Sequence, residues 1–379
     1  MHKKNLYMRF FKKWAMKMIN EETGLSYVTV DEMIIMLSEA YISLIENNTQ
    51  FAKFPSVMLW GPPGVGKSQG VRGIAKRIED RTYKKVVITD VRLLLFNPVD
   101  LRGIPTANED RTLAVWLKPK IFQMDESEDV VNILFLDEIS AAPPSVQSAA
   151  YQITLDRTVG EHKLPENCIV IAAGNRVTDH SVAYNMPKAL ANRLCHLEIK
   201  ADFGSWHDWA VRSDIHPFVI GYIEYNNAAL AKADTSGTDL AFPTPRSWEM
   251  VSNILNEVSE NAEAVYPMIV GCIGYRTASN FRTWAGLYDN MPDMEQIFSG
   301  KIKETPKAEE LLIALQTAMV RYARLHISKK GIDNSIEYAC MLPWSFRKRL
   351  LHDYSFIPEI KEIIQDNEVY RSAVKDGLK

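Results

Sequence analysis

The chain has 379 residues, of which 46% are hydrophobic and 24% charged, and its formal net charge is -3. This length predicts two or three domains with a sizeable core, and the composition excludes a disordered or fibrous protein. The near-neutral charge gives no reason to expect nucleic acid as the main partner, although a local basic patch is compatible with this balance.

Cysteine usage and hydropathy narrow the class of protein further. The four cysteines form no C-x-x-C unit, so neither a zinc site nor a disulfide framework is predicted and reduced core thiols are expected. No apolar run approaches the roughly 18 residues that a membrane span needs, and no secretory signal is apparent. The expected location is the cytoplasm.

The first 49 residues are predicted to be a helical segment. Residues 1–20 combine six basic side chains and no acid with apolar residues at helical spacing, which predicts a basic amphipathic helix. Such a helix can lie on a membrane, touch nucleic acid, or dock its apolar stripe on the domain body or a neighbouring subunit, and docking is favoured. A second helix is predicted over Val30 to Asn47.

From Phe54 onward, short apolar runs alternate with helical stretches, which is typical of parallel strands buried on both faces. The five runs predict an α/β fold with a five-stranded parallel sheet. They are Ser56 to Trp60, Lys85 to Thr89, Val131 to Leu136, Cys168 to Ala173 and Cys195 to Ile199. After about Ala201 the pattern is helical over 205–233, 246–290 and 304–376, with breaks at 234–245 and near Pro343 and Pro358.

The segment between the first strand and the next helix matches G-x-x-x-x-G-K-[ST], the phosphate-binding loop. Glycines let the backbone fold closely around phosphates, so that N–H groups and the helix terminus face the anion. We expect the Lys67 ammonium to bind the β- and γ-phosphates and the Ser68 hydroxyl to ligate Mg²⁺. The predicted nucleotide-binding residues are Gly61, Pro62, Pro63, Gly64, Val65, Gly66, Lys67, Ser68 and Gln69.

Two further strands end in polar side chains. Asp137 and Glu138 follow four apolar residues, so Asp137 is expected beside the loop as a second Mg²⁺ ligand and Glu138 as the group that polarises the attacking water. Asn175 follows the next buried strand and is suited to donate to the γ-phosphate and to hold that water. These residues predict a Mg²⁺-dependent ATPase.

The loop, the Asp-Glu strand and the Asn-tipped strand resemble Walker A, Walker B and sensor 1 of the AAA+ ATPases. Two segments indicate the MoxR-like, dynein-related clade more narrowly. Residues 97–105 resemble its insertion in the second core helix, and residues 156–166 resemble its hairpin before sensor 1. The similarity covers roughly residues 50 to 290.

The resemblance also implies two arginine roles. Residues 186–194 are similar to the arginine-finger segment, which makes Arg193 the finger that reaches a neighbouring subunit's γ-phosphate; Arg176, directly after the sensor asparagine, competes for that role. Residues 242–248 are similar to the sensor 2 segment, which assigns Arg246 to closing a helical lid over the nucleotide. Leu194 departs from the clade, which usually has Phe there.

The sequence pattern and the resemblance together predict four segments: an N-terminal helical segment (1–49), an AAA+ α/β core (50–203), a helical lid (204–292) and a helical C-terminal extension (293–379). The resemblance covers the middle two, and the first and last segments have no counterpart in the family. It also implies a ring-shaped homo-oligomer, with six subunits typical of the family. The expected function is chaperone-like remodelling or activation of a protein client, with a von Willebrand factor A domain protein as a candidate partner.

Three alternatives remain open. A nucleic-acid motor or loader would use the basic N-terminal helix together with Lys118 and Lys120. A nucleotide-binding scaffold without turnover is disfavoured because Asp137 and Glu138 are both present. GTP is a weaker substrate candidate than ATP, since no N-K-x-D segment that would read guanine is found.

Overall fold

The computed structural model describes residues 19, 23–176, 184, 186, 188–232, 240–259, 261–302 and 304–376. The predicted basic helix over residues 1–20 lies outside these ranges, apart from residue 19. Within the described part of the chain, no helix combines the length and the apolarity needed to cross a bilayer. The chain forms two compact units, Met1–Lys200 and Ala201–Lys379.

The first unit is built around a parallel sheet of six strands. They are β1 (Tyr27–Val28), β2 (Val57–Trp60), β3 (Lys85–Arg92), β6 (Val130–Asp137), β9 (Cys168–Gly174) and β10 (Cys195–Ile199), in the spatial order β1-β10-β2-β9-β6-β3. All five predicted strands are present, and the two-residue edge strand β1 is added to them: Tyr27 pairs with Glu198 and Val28 with Ile199. The parallel α/β prediction is therefore confirmed.

Two antiparallel hairpins accompany the sheet at the segments predicted as insertions. The first pairs β4 (Ile104–Ala107) with β5 (Ala114–Leu117), and the second pairs β7 (Thr158–Val159) with β8 (His162–Lys163). The helices of this unit are Val30–Glu46, Lys67–Thr82, Pro98–Arg102, Pro144–Asp156 and Lys188–Ala191, with 3-10 turns at Phe51–Lys53, Leu93–Leu95 and Lys120–Phe122.

Burial explains why the central strands are continuous apolar runs. Every residue of β9 is buried, as is every residue of β6 except Asp137 at its end. Apolar side chains on both faces stabilise a strand that is buried on both faces, because each of these side chains removes apolar surface from water. The edge strand β3 is only partly covered, which agrees with its more mixed composition. Because β6 and β9 are parallel neighbours, Asp137 at the end of β6 and Asn175 directly after β9 lie at the same end of the sheet.

The first long helix, Val30–Glu46, begins at a capping box. The Thr29 hydroxyl accepts from the Glu32 backbone N–H at 3.2 Å, and the Glu32 carboxylate accepts from the Thr29 N–H at 2.9 Å. These two bonds satisfy backbone donors that a helix N-terminus leaves unpaired. The helix predicted over Val30 to Asn47 is thus confirmed to within a residue.

The second unit is helical. Its helices are Phe203–Arg212, Pro217–Tyr225, Pro245–Glu257, Tyr266–Ile273, Tyr275–Ala285, Met294–Phe298, Glu309–Leu325, Lys329–Ala339, Trp344–Tyr354, Pro358–Ile364 and Glu368–Lys375, with 3-10 turns at Asn227–Ala229 and Gly286–Asn290. The predicted breaks near Pro343 and Pro358 coincide with the starts of two helices, because proline is compatible with a helix start but not with its interior.

A single hydrophobic cluster runs through this unit. It joins Trp248 and Phe281, from the region predicted as a lid, to Leu315 and Leu350, from the region predicted as an extension. The described residues of 204–292 and 293–379 therefore share one core, and the described residues of 1–49 fall in the same compact unit as the sheet. The finer division into four segments stays a prediction.

The buried side chain of His216 predicts that the second unit loses stability in acid. Its backbone N–H donates to the Ser252 hydroxyl at 2.8 Å, and its Nδ1 accepts from the Phe218 N–H at 3.2 Å, at the start of the helix Pro217–Tyr225. Burial, with a further contribution from the positive charge of Arg321, lowers the pKa of His216 to about 3. The imidazole is therefore neutral in the folded protein at neutral pH.

A stability measurement tests this. Because the folded-state pKa lies below the ordinary value of about 6.5, protonation favours the unfolded chain. The contribution of neutral His216 to the free energy of unfolding is fully present above about pH 6.5, and it falls by about 1.4 kcal/mol per pH unit below that pH. His216→Asn keeps an acceptor at the helix start but does not titrate. Urea unfolding at pH 7 and pH 5 should show about 2 kcal/mol more acid destabilisation in the unmodified protein. Equal losses in both proteins would contradict the prediction.

Candidate active site

The phosphate-binding loop follows β2 directly and leads into the helix Lys67–Thr82. Gly66, with φ of 104°, is the residue before this helix, and no side chain caps the helix start. A side chain at Gly66 would also meet Val30 Cγ2 at 3.1 Å. Glycine is therefore required by both backbone and space. The first backbone N–H groups of the helix are left for an anion, as expected of a phosphate site.

The other loop residues form a tight turn against the sheet. Gly61 has φ of 153°, and a Cβ there would lie 2.7 Å from the Ile199 carbonyl oxygen. The Pro62 carbonyl accepts from the Val65 N–H at 3.4 Å, which closes the turn around Pro63 and Gly64. Val65 is buried and Gln69 accepts from Arg72 at 3.1 Å.

Lys67 is held inside the loop. Only 8% of the residue is exposed, and its Nζ donates to the carbonyls of Gly61 at 2.5 Å and Pro62 at 3.1 Å. Nζ also donates to Asn175 Oδ1 at 2.9 Å. An ammonium that is buried has to be fully hydrogen-bonded, since an unpaired buried charge is costly. The predicted lysine and the predicted sensor asparagine are thus in direct contact.

Ser68 and Asp137 form the donor set predicted for a divalent cation. The Ser68 hydroxyl donates to Asp137 Oδ2 at 3.1 Å. Both are hard oxygen ligands of the kind that Mg²⁺ takes when most of its remaining ligands are water and phosphate oxygens. In the described ranges no group of three or more His, Cys, Asp or Glu side chains is arranged to hold a metal ion. The Ser68 and Asp137 oxygens are the observation that fits the predicted Mg²⁺ site.

Glu138 has an unusual backbone conformation at the end of β6. Its φ is 58°, in the left-handed region, and its N–H donates to Asp137 Oδ1 at 2.9 Å. For a residue with a side chain this conformation costs on the order of 1 kcal/mol or more and is concentrated at functional sites. The bend separates two consecutive carboxylates, so that Asp137 contacts Ser68 while Glu138 remains only partly buried.

Ser140 is a member of the site that the sequence did not reveal. Its hydroxyl accepts from the Asn175 N–H at 2.9 Å, and a Cβ at Gly174 would meet it at 2.7 Å. Ser140 therefore fixes the end of β9 and, with it, the amide of Asn175. The available signal was a serine two residues after the Asp-Glu pair, which is too common to single out.

Asp90 on the neighbouring strand β3 adds a third carboxylate to this edge of the sheet. Burial, followed by the negative charge of Asp137, raises the pKa of Asp90, while Arg92 and Arg72 oppose the shift. The register pairs Arg92 with Asp137. A site crowded with acidic groups favours the binding of a cation, which reduces their mutual repulsion.

Arg193 and Arg176 have different surroundings. Arg193 is exposed and lies just before the buried Leu194. Arg176 instead forms an ion pair with Glu198, a fully buried carboxylate that also accepts from Thr23 at 2.9 Å. Removing Arg176 from this pair would leave a buried charge, so the structure favours Arg193 over Arg176 as the candidate finger.

Arg246 belongs to the second unit. It is exposed in the first turn of the helix Pro245–Glu257, which begins at a capping interaction between Thr244 and Ser247. Trp248 is fully buried and its Nε1 donates to the Ala229 carbonyl at 2.7 Å, which anchors this helix start. The start of the helix that carries Arg246 is therefore held in place by buried contacts. The sensor 2 role of Arg246 stays a prediction.

The two insertion hairpins contact each other. His162 Nε2 and the Trp116 carbonyl oxygen are 2.8 Å apart, and a Cβ at Gly160 would meet the Arg102 carbonyl at 2.6 Å. Large apolar side chains are exposed on and around the first hairpin: Leu94, Leu95, Val99, Ile104, Leu113 and Leu117. The two hairpins thus contact each other, and the surface at and around the first of them is partly apolar.

Comparison with known proteins gives the following similarities. The model of the ATPase family associated with various cellular activities (AAA) matches residues 56–196. The chain is 28% identical to Chaperone MoxR1 of Mycobacterium tuberculosis over 142 residues, 36% of this chain and 34% of that protein. It is also 28% identical over 105 residues to the probable replication factor C subunit 5 of Dictyostelium discoideum, 26% of this chain and 27% of that protein.

The chain therefore spans about a third or less of the length of these curated relatives. Among solved structures, a mutant of RuvB from Thermotoga maritima is similar at 14% identity with a TM-score of 0.33, over 92% of this chain and 90% of that one.

Proposed function

We propose that this chain is an AAA+ ATPase of the MoxR type, and that it couples Mg²⁺-dependent ATP hydrolysis to the remodelling or activation of a protein client. The observation that carries the proposal is the contact set that joins Lys67 to Asn175 and Ser68 to Asp137. These contacts bring together the residues that we propose as phosphate ligand, sensor and cation ligands.

Each residue has a distinct task in this mechanism. Lys67 exchanges its present acceptors for phosphate oxygens, and the freed Asn175 amide donates to the γ-phosphate. Ser68 and Asp137 would hold Mg²⁺, and the ion would supply positive charge against the phosphates of the nucleotide. Glu138 accepts a hydrogen bond from the attacking water and polarises it. Arg193 from a neighbouring subunit stabilises the charge that develops on the transferred phosphoryl group.

A finger supplied in trans requires an assembly in which each active site lies between two subunits. Such head-to-tail contacts form a ring if the rotation between subunits closes, and a helical array if it does not. We propose a homo-oligomeric ring, with six subunits as the family resemblance implies. Loss of the γ-phosphate then releases the contacts that ATP had drawn together, and the resulting rigid-body motion acts on the client.

The paired hairpins are the proposed client contact. They project exposed apolar side chains, and loops on a rigid scaffold are common binding elements. A protein with a von Willebrand factor A domain is a candidate partner or client. In a pull-down experiment with ATP present, the Glu138→Gln variant should retain the client. The Lys67→Ala variant should not retain it under the same conditions. Equal capture by both variants would contradict coupling to ATP.

Replacing Lys67 by alanine tests the nucleotide site. Because Lys67 is the cation of the loop, we expect Lys67→Ala to lower ATP affinity at least about 100-fold, equivalent to about 3 kcal/mol. Isothermal titration calorimetry gives the dissociation constant. Lys76→Ala is the matched control, since Lys76 is exposed on the same helix. Unchanged affinity in Lys67→Ala would refute the assigned site.

A second candidate function, a nucleic-acid motor or loader, is favoured by the similarity to replication factor C subunit 5. It predicts binding to DNA or RNA that weakens steeply with salt, and stimulation of hydrolysis by the nucleic acid. Hydrolysis that is unaffected by either nucleic acid at low salt would exclude this candidate.

A further inference from the structure

His196 connects the strand that leads into the phosphate loop to the segment that carries Arg193. Trp60, the last residue of β2, donates from Nε1 to His196 Nδ1 at 2.9 Å. The two rings are nearly parallel, with 17° between their planes. On its other side, His196 Nε2 lies 2.7 Å from the carbonyl oxygen of Ala191, two residues before Arg193. One side chain thus spans both parts of the predicted catalytic machinery.

The Trp60 donor determines which nitrogen of the His196 ring carries the proton. An indole N–H can only donate, so His196 Nδ1 has to be the unprotonated acceptor. The neutral ring therefore carries its proton on Nε2, which is the atom that faces a carbonyl and can donate to it. Both nitrogens are satisfied in this tautomer alone, and Trp60 selects it.

The backbone around Arg193 is held at several points. The Ala191 carbonyl that receives the His196 bond also accepts from the Leu194 N–H at 3.3 Å, which closes a turn around Arg193. Leu194 is packed into the core and the Cys195 N–H donates to the Ser56 carbonyl at 3.0 Å. His196 therefore fixes the upstream end of a turn whose downstream end is buried, while Arg193 stays exposed.

We infer that His196 is a positioning residue for the finger: it orients the turn that presents Arg193 to the neighbouring subunit. This inference rests on the proposed function of Arg193. A group that stabilises a transition state has to be held close to its productive position, and a displacement of about 1 Å costs up to about 100-fold in rate. His196 therefore affects hydrolysis of the ATP bound by the neighbouring subunit, although it contacts the strand that leads into the phosphate loop of its own subunit.

Single variants separate positioning from binding. His196→Leu removes both hydrogen bonds, and we expect kcat to fall about 10-fold to 100-fold with little change in the dissociation constant for ATP. His196→Gln offers an oxygen acceptor to Trp60 and an N–H donor to Ala191, so it should restore most of kcat. Steady-state phosphate release and calorimetry measure the two quantities. Loss of ATP affinity in step with kcat, or no rescue by glutamine, would overturn the inference.

Mixed assemblies test the direction of the effect. A His196→Leu subunit has an intact ATP site and a misplaced finger, whereas a Lys67→Ala subunit has an inactive ATP site and an intact finger. Mixing them should raise activity above that of either variant. Mixing His196→Leu with Arg193→Ala should not, because both lack a working finger. If Lys67→Ala rescues Arg193→Ala but does not rescue His196→Leu, the role of His196 is contradicted. The assignment of Arg193 as the finger would still stand.

Discussion

Arg193→Ala is expected to bind ATP normally and to lose about 10³-fold to 10⁵-fold in kcat, the range that an arginine supplied in trans contributes to phosphoryl transfer. The physical reason is that its charge is needed only where negative charge develops on the phosphoryl oxygens. The side chain is exposed, so its removal leaves no buried charge and the fold should be unaffected. Phosphate release and calorimetry on the same preparation measure the two effects.

Complementation decides whether the arginine acts between subunits. Arg193→Ala contributes a working ATP site and Lys67→Ala contributes a working finger, so a mixed assembly should regain part of the lost activity. Cross-linking or native mass spectrometry has to show that the assemblies are mixed. If mixed assemblies are present and activity stays at the level of the separate variants, the shared active site is wrong. Arg176→Ala, by contrast, is expected to lower stability, because it leaves Glu198 buried without its arginine.

Glu138→Gln is the second large effect. The amide keeps the size and polarity of the side chain but is a poor base, so hydrolysis should fall about 10²-fold to 10⁴-fold while ATP binding persists. The left-handed backbone at Glu138 is retained, since glutamine tolerates it about as well as glutamate does. A single-turnover measurement separates slow chemistry from slow product release.

The control for this prediction is Asp137→Asn at the same strand end, which changes the cation ligand rather than the base. Asp137→Asn should raise the Mg²⁺ concentration needed for half-maximal hydrolysis, whereas Glu138→Gln should leave that concentration unchanged. Hydrolysis by Glu138→Gln at the unmodified rate would remove Glu138 from the mechanism.

The strands and the loop were predictable because their determinants are local. Continuous apolar runs identify β6 and β9, and the glycines and lysine of the loop are required by the backbone and by phosphate. Parallel strands bring their carboxyl ends to one edge, so the meeting of Asp137 with Ser68 followed from topology. The edge strand β1 could not be predicted, because a strand of two residues is too short to show a recognisable pattern.

Side-chain partners distant in sequence could not be predicted. The bond from Trp60 to His196 joins residues 136 positions apart, and neither residue type signals the other. The pairing of Arg176 with Glu198 is similar: an arginine after a sensor asparagine suggested a phosphate ligand, and only the buried carboxylate shows another role. Such contacts depend on how strands are ordered in the sheet.

The common core of the second unit changes how damage at the C-terminus should be interpreted. Leu350 and Ile360 are buried in the same cluster as Trp248, two residues after Arg246. A deletion that removes the last helices therefore exposes the core that supports the helix carrying Arg246, rather than removing an independent segment. Alleles that shorten the chain should therefore destabilise the whole second unit rather than only its last helices.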